Sequence, residues 1–226
     1  MTIYYGDVVK ETHSYGFVLE DDNRRDDTFI PLTEEEHMAL LDEQSEGHEI
    51  VCYDGKVFTT TEHGRYYVDD DGVWQKKDDE TYNKEQADKM RVQLVNDIYE
   101  IKAKKAYGGV IINNMLVFET NQTAITNTVA SLALMSDTAT TSWKFYTINN
   151  EPYVQLISKA QLAYIAQFGQ EMINKCFAIE GKANEQLRTA TVEQLVNTEW
   201  VDNFIKTVQT EVNNVDNTIA IEFAGK

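Results

Sequence analysis

The sequence predicts an α+β fold in two parts. A small, acidic, hairpin-rich N-terminal domain is expected over residues 1–80. A mostly helical C-terminal domain, with short β-hairpins and a long helix, is expected over residues 81–226. Three observations predict this. Turn dipeptides that accept positive φ recur between short apolar runs. One apolar stripe at helical spacing runs from about residue 158 to residue 188. Charge also changes along the chain: residues 1–80 hold 22 acidic and 7 basic residues, and residues 81–226 hold 16 and 13.

In the first part, "GFVLE" and "TFIPL" read as strands separated by the charged loop "DDNRRDD". A helix follows in "FIPLTEEEHMALLDEQSEG". Thr33 is a good N-cap with Glu36 three residues on, a capping box, and Leu32 precedes it as a staple residue. Gly47 fits the position after the helix, where a left-handed backbone favours glycine. "EIVCYDGKVFTTT" then reads as two strands about Asp54-Gly55, and "GRYYVDDDGVWQKK" repeats the device at Asp71-Gly72.

The polar stretch "KKDDETYNKEQ" marks the expected boundary. Beyond it Met90, Leu94, Ile98 and Ile101 fall on one face of a helix over residues 83–106. "GVIINNMLVFET" is a hairpin turning at Asn113-Asn114, residues 122–135 are a short helix, and "TSWKFYTINNEPYVQLI" pairs two strands about Asn149-Asn150. A long helix spans about Ser158 to Arg188. Its residues Leu162, Ile165, Gly169, Met172, Cys176, Ile179 and Ala183 alternate at spacings of three and four, a heptad seam. That seam can close on residues 83–106 as an antiparallel helical hairpin, or recruit another copy of the chain; the face at residues 90–101 is the expected partner. A further helix over residues 192–212 and an edge strand in "NTIAIEFAGK" complete the chain.

The net charge of −18 argues against nucleic acid, whose phosphates need a basic surface, and against anionic lipid. No apolar run is long enough to insert in a membrane, and the N-terminus lacks the pattern of a signal peptide. A cytoplasmic origin is expected. Two cysteines, Cys52 and Cys176, make neither a disulfide framework nor a zinc set.

Each candidate site has a structural reading beside it. Glu34, Glu35, Glu36 and His37 lack the second histidine of a zinc-protease helix. Three acids in a first helical turn are favoured by the helix dipole. Asp69, Asp70, Asp71 and Gly72 are too closely spaced for a calcium loop and fit a turn. His13, His37, His48 and His63 show no ligand spacing, and Cys176 sits on the seam as a core residue. No cofactor or metal is expected, and no carboxylate pair stands out for a hydrolase. The aromatics Tyr66, Tyr67 and Trp74 on one hairpin are core candidates, and also the candidates for a partner-binding patch.

The stretch "FIPLTEEEHMALLDEQSEGHEIVCYDGKVF", followed by "YYVDDDGVW", resembles the N-terminal part of bacteriophage tail fibre assembly proteins. The second half, with Gly109, Val110, Phe118, Trp143 and Cys176 in "GGVIINNMLVFETNQTAITNTV" and "SWKFYTINNEPYVQLISKAQLAYIAQFGQEMINKC", resembles a phage tail-associated domain of unknown function. The resemblance implies a non-enzymatic chaperone for the distal, trimeric, β-rich tip of a tail fibre, acting in the host bacterial cytoplasm. A structural component of the tail tip, baseplate or fibre, retained in the virion, is the alternative. The long C-terminal domain departs from the typical family and favours neither.

Overall fold

The fold is α+β, and among the described residues up to residue 76 it consists of seven short strands and one helix. The computed structural model describes residues 2–223. It divides between Glu85 and Gln86 into two units.

In the first unit, β1 (Ile3–Val9) is the central strand of a three-stranded antiparallel sheet between β2 (Ser14–Leu19) and β3 (Ile30–Leu32). The sequence reading assigns no strand to residues 3–9, because Gly6 and Asp7, both poor strand formers, interrupt the run. Gly6 has a packing reason: the Phe29 ring lies against its backbone, and a Cβ there would sit 2.5 Å from the ring.

Helix α1 (Glu34–Ser45) begins with the predicted box. The Thr33 hydroxyl accepts from the Glu36 N–H at 3.2 Å, and the Thr33 N–H donates to the Glu36 carboxylate at 2.8 Å. Gly47 follows the helix at φ +96°, a conformation that would strain any residue with a Cβ. Leu40 is the buried residue of α1 and packs with Tyr5, Leu32 and Ile50. β4 (Glu49–Tyr53) and β5 (Lys56–Thr60) turn through Asp54 and Gly55, both at positive φ, as a two-residue hairpin requires. The next hairpin differs from expectation. β6 (Tyr66–Val68) and β7 (Trp74–Lys76) are joined by residues 69–73, in which Gly72 alone has positive φ. The Asp69 carboxylate holds this longer loop by accepting the N–H groups of Asp71 and Val73.

Helix α2 (Asp79–Ala106) runs through the division between the units. The second unit continues with β8 (Val110–Ile112), β9 (Leu116–Phe118), α3 (Gln122–Leu134), β10 (Thr140–Thr147) and β11 (Pro152–Ser158). There follow α4 (Lys159–Thr189), α5 (Val192–Leu195), α6 (Thr198–Asn213) and β12 (Thr218–Ile219). Its sheet has the order β11-β10-β9-β8-β12 and is antiparallel except for β12, which lies parallel to β8. Asn113 and Asn114 both adopt positive φ in the β8–β9 turn. Between β10 and β11, Asn150 alone does so, which makes a three-residue loop.

The heptad seam is closed within the chain, against three successive surfaces. Leu162 and Ile165 pack on the sheet with Ile112, Phe118 and Phe145. Met172 and Cys176 pack with Ala106 and Val215. Ala183 and Leu187 pack with Leu94 and Ile98 of α2 and with Phe204 and Val208 of α6. The expected α2 face at residues 90–101 therefore meets the far end of the seam, in antiparallel sense, and Ala106 at the end of α2 reaches its middle. Residues 192–212 are not one helix: Asn197 breaks them and caps α6, its side chain accepting from the Trp200 N–H. Of the expected C-terminal edge strand, Thr218–Ile219 forms; residues 224–226 lie outside the described residues.

Candidate interaction surface

The aromatic hairpin of the first unit is mostly core. Tyr66 is buried between Tyr53 and Phe58, with ring centroids 5.4 and 5.5 Å away. Trp74 is half-buried, edge-on to Tyr15 at 5.3 Å. Tyr67 alone is exposed, with the Lys77 ammonium over its ring. Register explains this. Tyr66, Val68 and Trp74 share one face of the hairpin, and Tyr67 opposite Gln75 occupies the other. The expected three-residue partner patch is therefore reduced to Tyr67.

The other singled-out residues take structural positions. Glu34, Glu35 and Glu36 form the acidic first turn of α1, and the His37 ring stands edge-on to Phe17. In the acidic loop Arg24 bonds and pairs with Asp22, and the Thr28 hydroxyl, with Lys10, binds Asp26, which holds both carboxyls down to about 2. Cys52 and Cys176 are free thiols pushed up by burial, with Lys105 and Lys102 opposing that shift at Cys176. Among the described residues, no three His, Cys, Asp or Glu side chains form a group that could hold a metal. None of the described helices is long and apolar enough to cross a membrane.

The surface left without an internal partner is in the second unit. β11 is the terminal strand of the five-stranded sheet. The Thr147 N–H donates to Glu151 O at 2.7 Å across the hairpin, and the Ile148 N–H donates to Met115 O on the other side. Strand alternation then points the N–H and C=O groups of Tyr153, Gln155 and Ile157 at β10, and those of Val154 and Leu156 away from the sheet. The side chains of these two residues are 64% and 50% exposed. They share the outer face of the sheet with Tyr146, Val117 and Ile111, aligned by register across the strands. Residues 152–158 carry no charge. Natural sheet edges are usually guarded by lysine, a bulge or a short strand. This edge has seven residues; Pro152 at one end lacks an N–H, Ser158 at the other has its N–H held by Gln161, and the Leu156 carbonyl accepts from the Gln155 side chain at 3.3 Å.

At the corner of the same sheet, a groove of about 490 Å³ separates α3 from β10, lined by Trp143, Tyr146, Ala130 and Leu134 among others. Trp143 stacks on Phe118 at 6.1 Å, so its indole forms one wall of the groove. The sequence contains the alternation of "PYVQLIS", but strand order decides which strand is the open edge, and strand order is not written in local pattern. Comparisons of the chain with protein-family models, with curated proteins and with solved structures gave no match.

Proposed function

We propose that this chain is a non-enzymatic phage assembly protein that binds a tail fibre or tail tip protein and assists its folding, trimerisation or attachment. The observation that carries the reading is the open β11 edge, with Val154 and Leu156 offering both backbone groups and apolar side chains. Trimeric β-rich fibres have many long-range contacts and expose strand edges while they fold. A strand from such a chain, added to β11, would have its backbone groups paired and its apolar side chains covered until its own trimer forms. The likeness of residues 28–76 to tail fibre assembly proteins supports the same reading, and that stretch folds as a strand, a boxed helix and two hairpins. The strongly acidic first part would keep a chaperone soluble while it holds an aggregation-prone partner.

The test is co-expression with phage tail fibre and tail tip proteins. The expected result is soluble fibre with the intact chain and insoluble fibre with Val154→Lys/Leu156→Lys. Soluble, trimeric fibre in the absence of this chain would refute the reading. Mass spectrometry of purified particles then separates a chaperone, which leaves, from a virion component present at a fixed copy number.

A further inference from the structure

We infer that, without a client, the β11 edge pairs with the β11 edge of a second copy of this chain, joining two five-stranded sheets about a twofold axis. Three features select a second copy as the occupant. First, the edge is self-complementary. In an antiparallel pair centred on Gln155, Val154 lies opposite Leu156 of the second copy, and Leu156 opposite its Val154. The N–H and C=O groups of these four residues point outward, so each can join the ladder, the Leu156 carbonyl through the lone pair left open by the Gln155 side chain, which donates to it at 3.3 Å. Pro152, which lacks an N–H, falls opposite Ser158, whose N–H is already held by the Gln161 side chain at 2.8 Å. The two positions that cannot contribute a donor therefore face each other at the ends.

Second, the side chains match. Val154 and Leu156 lie on the same outer face in both copies, so the register sets four exposed aliphatic side chains in two contacting pairs. Third, the charge is placed to allow it. Residues 1–80 carry 22 acidic against 7 basic residues, whereas residues 81–226 are nearly balanced and residues 152–158 are uncharged. Copies that meet through β11 approach on the neutral strand of the balanced half. Two seven-residue edges form a small interface, below the size typical of permanent dimers, so association is concentration-dependent. The same edge then serves copy and client in competition, and the dimer is the closed resting form.

The experiment uses the full chain alone, so it stands apart from any result with fibre proteins. Sedimentation across a wide concentration range should show a reversible monomer–dimer equilibrium. Val154→Lys/Leu156→Lys should raise the dissociation constant at least tenfold with an unchanged circular dichroism spectrum. Val92→Lys, on an exposed position of α2, should leave it unchanged. Gln155→Cys should cross-link the dimer under mild oxidation, because a non-hydrogen-bonded antiparallel pair brings the two Cα atoms within disulfide reach. A chain that stays monomeric at every concentration would overturn the inference. So would a dimer that ignores the double lysine variant, or a Gln155→Cys dimer that does not cross-link.

Discussion

The Lys102 ammonium lies 3.3 Å from the Glu180 carboxylate, with a lysine side chain only 3% exposed. It is also sandwiched between the rings of Tyr99 and Phe177, at 4.3 and 4.1 Å from their centroids. This is the one buried cation among the described residues, and it ties α2 to α4 beside the seam. A buried charge is tolerated only when its partners replace water. Glu180→Leu leaves the ammonium with the ring faces alone and should cost about 3 kcal/mol in denaturant unfolding. The pair Lys102→Met/Glu180→Leu should recover most of that loss, since an apolar pair of similar volume needs no compensation. Single and double variants that lose equal stability would show that shape, not charge, dominates here.

Met172 is 1% exposed in the middle of the seam, against Ala106, Ile173, Cys176 and Val215. Met172→Ala should lower stability by about 3 kcal/mol through lost contacts and a residual cavity. It should leave the oligomeric state of the folded chain unchanged, because the seam faces inward along its length. A folded Met172→Ala protein with an altered dissociation constant would reopen the seam as an interface between copies.

Thr33 and Glu36 satisfy each other's backbone donors at the start of α1. Thr33→Ala removes the acceptor for the Glu36 N–H and should destabilise the first unit by about 1 kcal/mol, whereas Thr33→Ser should be close to neutral. Hydrogen exchange is the sharper readout. Protection should fall at Glu36 and His37 while β1 keeps its own.

What could be read in advance follows from the range of the interactions concerned. The Thr33–Glu36 box, the Gly47 cap and the Asp54-Gly55 and Asn113-Asn114 turns are settled within a few residues, and the same residues form them in the fold. The seam reports that one face of α4 is buried but is silent on what buries it, so a single helical partner is expected where three surfaces share the work. β1 escapes notice because the reason for Gly6 is the Phe29 ring, distant in sequence. Tyr66 and Tyr67 are adjacent and alike, and only pairing register separates the buried one from the exposed one. The openness of β11 is a property of strand order, which depends on every strand in the sheet.

The first unit should have a stability plateau bounded on both sides by its own titrations. His13 stands at φ +49° with Nδ1 3.0 Å from the Asp7 carboxylate, and that hydrogen bond raises its pKa above the usual 6.5. A raised folded value means stability fully present below about pH 6.5 and lost as pH rises through the folded value. On the acid side, Arg24 holds Asp22, and Thr28 with Lys10 holds Asp26, at about 2, while the backbone N–H of Thr33 lowers Glu36. Lowered folded values mean stability present above the usual carboxylate range and lost as pH falls through them. The melting temperature of the first unit should therefore be highest between about pH 4.5 and 6.5 and decline on either side. His13→Asn keeps a residue that accepts positive φ but removes the titration. In that variant the alkaline decline should disappear and the acid one remain. An alkaline slope that persists in His13→Asn would place its source elsewhere than the Asp7–His13 pair.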